Sequence, residues 1–184
     1  DYVPLHMPGH KRALMEFENP YSFDITEIDG FDNLPHAEGI IKDAEKFAAA
    51  VCQSDETHFL VNGSSCGILS AIFSATKQGD ELLMARNCHK SVYHAAELRE
   101  LKTHYLYPEM MPEGILGEVT VEMAEEAFEK YPDAKTLILT SPTYDGVVSD
   151  VKAIVKAAHA RGITVIIDEA HGAHFLKESG FPKS

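Results

Sequence analysis

The 184-residue sequence has no apolar run approaching the ~18 residues of a membrane span. Its opening stretch, DYVPLHMPGHKR, has neither an initiator Met nor the apolar core of a signal peptide. The three cysteines, Cys52, Cys66 and Cys88, form no CxxC pair, so neither a disulfide framework nor a zinc ribbon is suggested. Basic residues are few: 16 Lys and Arg stand against 29 Asp and Glu, a formal charge of −13, with no dense basic run to attract a phosphate backbone. There is no Gly-Lys dipeptide either, and hence no GxxxxGK[ST] phosphate loop. These absences predict a soluble, cytoplasmic chain cut from something longer, with no nucleic-acid or membrane partner and no metal.

What is present is enough for a sizeable core, with 45% hydrophobic residues over the length of one ordinary domain. Residues 1–37 are rich in Pro, Gly, Asp and Asn and read as a loop-rich segment of the same domain as residues 38–184. From Glu38 the pattern turns helical, with Ile40, Ile41, Ala44, Phe47, Ala48 and Val51 on one face. Short apolar runs then alternate with amphipathic ones. THFLVNG, ELLMAR, THYLY, TLILTS and ITVIID read as five strands. SCGILSAIFSAT, KSVYHAAELREL, VEMAEEAFEKY and SDVKAIVKAAHARG read as helices, the last capped by Ser149 and stopped by Gly162. Helix-length crossovers and wholly apolar strands predict an α/β fold with a doubly wound, mostly parallel sheet.

In such a sheet ligands collect beyond the carboxyl ends of the strands. The residues found there are polar: NGSSCG after the first predicted strand, NCHKS after the second, SPTYDG after the fourth, and Asp168, Glu169, Ala170 and His171 at the fifth. DEAH at a strand end is also a helicase signature, but without the phosphate loop it has no companions. The alternative is a pyridoxal phosphate (PLP) site. It needs an acid to meet the ring nitrogen, a phosphate cradle and a stacking residue. Asp168 suits the first, since a buried carboxylate costs several kcal/mol unless a cation meets it; a metal or a helix N-terminus would serve as well. NGSSCG offers amides and the hydroxyls of Ser64 and Ser65, though Gly and Ser there are also ordinary capping chemistry. His89 is open between lying flat on a cofactor ring and bonding its own loop.

The motifs HMPGHK, DITEIDGFDNL, FLVNGSSCGIL, ARNCHKSV, LTSPTYDG and IDEAHGAHF, in that order, resemble the PLP-binding large domain of the ornithine/lysine/arginine decarboxylase family, fold type I. The resemblance implies PLP as cofactor, with Ser64, Ser65 and the Cys66 amide on its phosphate, His89 stacked on the pyridine ring and Ala170 on the other face. It implies Asp168 on the ring nitrogen, and Thr143 and His171 near the phenolic oxygen and the reacting carbon. Asp168, His171 and His89 are the expected catalytic residues. His6, His10, Lys11, Asp32 and Asn33 fall in the N-terminal motifs, with no role readable from spacing.

The resemblance further implies decarboxylation of lysine, arginine or ornithine to a polyamine-type amine, by a cytoplasmic homodimer or higher homo-oligomer. The sequence departs from the family in two respects, lacking its Schiff-base lysine and its small C-terminal domain. The lysine that holds PLP covalently lies in an SxHK motif downstream of DEAH, and no SxHK is present here. These residues are therefore expected to be a fragment, inactive by themselves. Another fold type I PLP enzyme, such as an aminotransferase or aldolase, and a lysine-less non-catalytic module are the competing expectations.

Overall fold

In the computed structural model, residues 29–175 and 180 are described. The chain divides into two units, residues 1–59 and 60–184. His6, His10 and Lys11 lie outside the described residues.

In the first unit, a 3-10 turn over Leu34–His36 precedes helix α1, Ile40–Cys52. Its N-cap, Gly39, has no side chain to offer, and Asp32 supplies the missing acceptor from outside the helix. Asp32 Oδ1 accepts from the amides of Asn33 (2.8 Å) and Glu38 (3.0 Å), and Oδ2 from those of Gly39 and Ile41 (both 2.9 Å). Four amides around one carboxylate favour its charged form, and its pKa falls far below the usual carboxylate range. Asp32 is thus a distant helix cap, held with φ at +67°. The apolar face of α1 is open: Ile40 is 59% and Phe47 73% exposed.

The second unit holds α2 (Gly63–Ala75), β1 (Glu81–Ala85), α3 (Lys90–Leu98), β2 (Lys102–Leu106), α4 (Val121–Lys130), β3 (Thr136–Thr140), α5 (Val151–His159) and β4 (Thr164–Asp168). The strands form one parallel sheet in the order β2-β1-β3-β4. Helix α2 packs on α3, and α4 on α5, each pair covering one face. Strands clad on both sides must be apolar throughout. Accordingly Leu82, Leu83, Met84, Leu137, Ile138 and Leu139 are all but completely buried. Among the described residues no helix is long and apolar enough to cross a membrane.

The predicted helices and four of the five predicted strands form. The first predicted strand, THFLVNG, does not. Among the described residues no strand lies beside it, and an extended segment without a hydrogen-bonded neighbour is not a strand whatever its β propensity. Its apolar residues stay out, with Val61 81% exposed. A second correction concerns α5. Its cap is Asp150, whose side chain accepts from the Ala153 amide (3.0 Å), and not Ser149. The Ser149 hydroxyl instead accepts from the Val119 amide (3.0 Å), tying this loop to the one before α4.

Two hydrogen-bond sets fix the direction of α2. Thr136, opening β3, donates its hydroxyl to Ala75 O at the end of α2 (3.2 Å), and the Arg99 guanidinium beyond α3 donates to Phe73 O and Thr76 O. The C-termini of α2 and α3 therefore share the amino end of the sheet. Both helix N-termini point to its carboxyl end.

Candidate active site

Asp168 closes β4 paired with Thr140 of β3, and is 8% exposed. One amide, that of Ala170, donates to its Oδ1 at 3.2 Å, and among the described residues no cation meets it. The chain leaving β3 is pinned beside it by Ser141 N donating to Asp168 O (3.1 Å). After the cis Ser141-Pro142 peptide it makes a closed turn at the buried Thr143. Thr143 N donates to Val147 O (2.9 Å), while Thr143 Oγ1 accepts from Val147 N (3.1 Å). Gly146, at φ +86°, lets the turn close.

The loop after β4 presses on this turn. Gly172 is buried, and a Cβ there would stand 2.6 Å from Pro142 Cδ and 2.7 Å from Glu169 Cγ, so only glycine fits. This contact brings Asp168, Ala170 and His171 together with Thr143 and Tyr144. The exposed His171 ring meets the edge of Tyr144, centroids 5.6 Å apart. The β1 loop joins them through Cys88, whose thiol points at Ile138 O (3.8 Å). Burial pushes that thiol up to about 11, and the negative charge of Asp168 adds to the rise. At neutral pH Cys88 is a packed thiol rather than a nucleophile.

His89 is the N-cap of α3, its Nδ1 accepting from Ser91 N (3.3 Å) and lying 2.9 Å from Ser91 Oγ. The loop-bonding role is thus realised. It fixes the ring while leaving it exposed, and no described aromatic ring stacks on it. Ser64, Ser65 and Cys66 form the first turn of α2. Asn62, its N-cap, makes no side-chain bond to the first-turn amides, and among the described residues no side chain accepts from them.

Four buried side-chain oxygens lack a hydrogen-bond partner among the described residues: Asn33 Oδ1 lies in the first unit, and the other three, Asn87 Oδ1, Thr140 Oγ1 and Glu169 Oε1, stand where β1, β3 and β4 end. Sequence reasoning assigned none of them a role, because a polar residue at a strand end gives no sign of whether its partner comes from the chain. A buried polar atom left unpaired costs about 1–3 kcal/mol. The concentration of three of them at one end marks the place for a ligand. The donor set suits a pyridine cofactor with a phosphate: an unpaired carboxylate for a ring N–H, and an uncapped helix N-terminus with two hydroxyls for the anion.

Residues 5–182 match the Orn/Lys/Arg decarboxylase major domain. A curated Bacillus subtilis protein described as uncharacterised is 42% identical over 97% of this chain and 39% of its own length. An arginine decarboxylase of Halalkalibacterium halodurans is 37% identical, over 99% of this chain and 39% of its own. The chain thus spans about two-fifths of the length of these relatives. The crystal structure of a Francisella novicida lysine decarboxylase superposes with a TM-score of 0.67 at 27% identity, over 78% of this chain and 21% of that one.

Proposed function

Because the chain belongs to the Orn/Lys/Arg decarboxylase family, we propose that it carries the PLP-binding part of an enzyme that decarboxylates arginine, lysine or ornithine to a polyamine-type amine. The observation that carries the reading is Asp168, a buried carboxylate with no cation among the described residues, standing among three orphaned oxygens.

Pyridoxal phosphate, when bound, supplies the electron sink for the pair left behind as CO2 departs. Asp168 keeps a proton on the ring nitrogen, because an adjacent carboxylate raises that nitrogen's pKa. The first-turn amides of α2, with the hydroxyls of Ser64 and Ser65, hold the phosphate and gain from the helix dipole. His89, fixed by Ser91, would stack on the ring, and Ala170 would be small enough to let it seat. Thr143 and His171 orient the phenolic oxygen side, Thr143 being held by its two bonds to Val147. The −13 charge favours approach of a cationic amino acid. A cytoplasmic homodimer is part of the same reading.

The test uses the full-length protein loaded with PLP, assayed for labelled CO2 from the carboxyl groups of arginine, lysine and ornithine. Release from one of the three, lost on Asp168→Ala, is the expected result. Amino-group transfer to an oxoacid without CO2 would replace the reading with an aminotransferase. PLP binding with neither reaction would leave a non-catalytic module.

A further inference from the structure

The chain between β2 and α4 folds into a hairpin. Met111 N donates to Ile115 O and Gly117 N to Glu109 O, both at 2.8 Å, around a bridge between Met110 and Leu116. The approach is close at Gly117, where a Cβ would sit 3.2 Å from Glu109 O and crowd it. Between this hairpin, the start of α4 and the strip Val147-Val148 lies a cavity of about 570 Å3. That is within the range that holds a small organic ligand.

Its lining is one-sided in chemistry. The thioethers of Met110, Met111 and Met123 and the side chains of Val147 and Val148 make the wall apolar, and thioethers adapt their shape to an occupant. The ionisable groups on it are the exposed carboxylates of Glu109 and Glu118, and neither has an ion-pair partner among the described residues. No Lys, Arg or His lines it. The Thr120 hydroxyl is already committed to the Met123 amide (3.2 Å). An anion would meet two like charges, and a neutral apolar molecule would draw nothing from either carboxylate.

We propose that this cavity is a binding site for an aliphatic cation, its alkyl chain against the methionines and valines and its ammonium or guanidinium group between Glu109 and Glu118. The site involves neither Asp168 nor any residue of the phosphate cradle. It backs onto the Thr143 turn through Val147, which exchanges two hydrogen bonds with Thr143.

The probe is n-hexylamine, titrated calorimetrically into the full-length protein, with n-hexanol and hexanoate as neutral and anionic matches. Saturable binding of the amine is expected, weakened roughly tenfold in the double variant Glu109→Gln/Glu118→Gln, with no heat from hexanoate. Met110→Lys, at a position 65% exposed, brings a cation of the chain's own and should abolish the binding. Asp168→Asn should leave it intact. Absence of saturable binding, equal affinity for hexanol, or indifference to both sets of substitutions would overturn the proposal. So would loss of binding on Asp168→Asn, which would move the amine to the decarboxylase site and leave that reading standing.

Discussion

Strand β3 begins and ends with the same residue type, and the two threonines live differently. At the amino end, Thr136 is 1% exposed and donates to Ala75 O. At the carboxyl end, the buried Thr140 hydroxyl has the weakly hydrogen-bonding Cys88 thiol beside it in place of an oxygen or nitrogen partner among the described residues. Helix α2 repeats the contrast: Arg99 covers its terminal carbonyls, while its N-terminus has no capping side chain. Around the amino end the other polar groups are paired as well, as in Thr76 with Ile72 O, Lys77 N with Asp80, and His104 with Glu81. One edge of the sheet is finished by the chain and the other is left open. A fold has no reason to leave several buried acceptors unmet along one edge unless something else meets them there.

The contrast can be broken by substitution. Asp168→Ala should reduce turnover of the full-length enzyme by roughly 100- to 1000-fold. The same change should leave the melting temperature of the PLP-free protein unchanged or raised, because an uncompensated buried charge is removed. A large loss of PLP-free stability would put Asp168 on the finished side. Gly172→Ala should cost about 1–3 kcal/mol in urea titration, since the new methyl must displace Pro142 or Glu169, with Thr143 and His171 shifting as judged by a raised KM. The matched pair on β3 is the sharpest comparison. Thr136→Val should destabilise by about 1 kcal/mol and Thr140→Val should be neutral or stabilising, read from the same urea midpoints. Equal losses would erase the distinction between the edges.

The smallest effect compares two carboxylates. Asp32 holds four amides where Asp168 holds one, and its lowered pKa means that it supports α1 fully above the usual carboxylate range, near pH 4, and loses that support as the solution becomes more acid. Hydrogen exchange at the Gly39 and Ile41 amides should therefore be faster in Asp32→Ala than in the parent at pH 7, with the gap narrowing below about pH 4.

The sheet was legible in the sequence because apolar runs such as LIL and VII alternate with helix-length segments. A strand end at Asp168 and a stop at Gly162 follow from local pattern, and Gly162 does take φ at +70°. What failed depends on residues far away in the chain. THFLVNG has the composition of a strand, but its state is decided by a neighbour. Ser149 and Asp150 are both good caps in sequence, and the choice between them is settled by Val119, 30 residues earlier. Asp32 reaches nine residues ahead to Ile41, a span no capping rule covers. The orphaned oxygens of Asn87, Thr140 and Glu169 were illegible for the same reason: pairing is a property of surroundings, and their residue types occur at countless strand ends.

The strand order has a kinetic consequence. The central pair of the sheet, β1 and β3, are not neighbours in the chain, and α3, β2 and α4 must be looped out before they can meet. Contacts such as Cys88 with Ile138, 50 residues apart, and Thr136 with Ala75, 61 apart, close only after that entropy has been spent. Local helices assemble in microseconds, whereas a parallel sheet zipped from its middle waits on a slow, nonlocal search. The cluster of polar groups at the strand ends can assemble only once that search is complete. Until the sheet closes, Leu83 and Ile138, fully buried in the folded chain, lack their native cover, and such transiently exposed apolar strands favour association between chains.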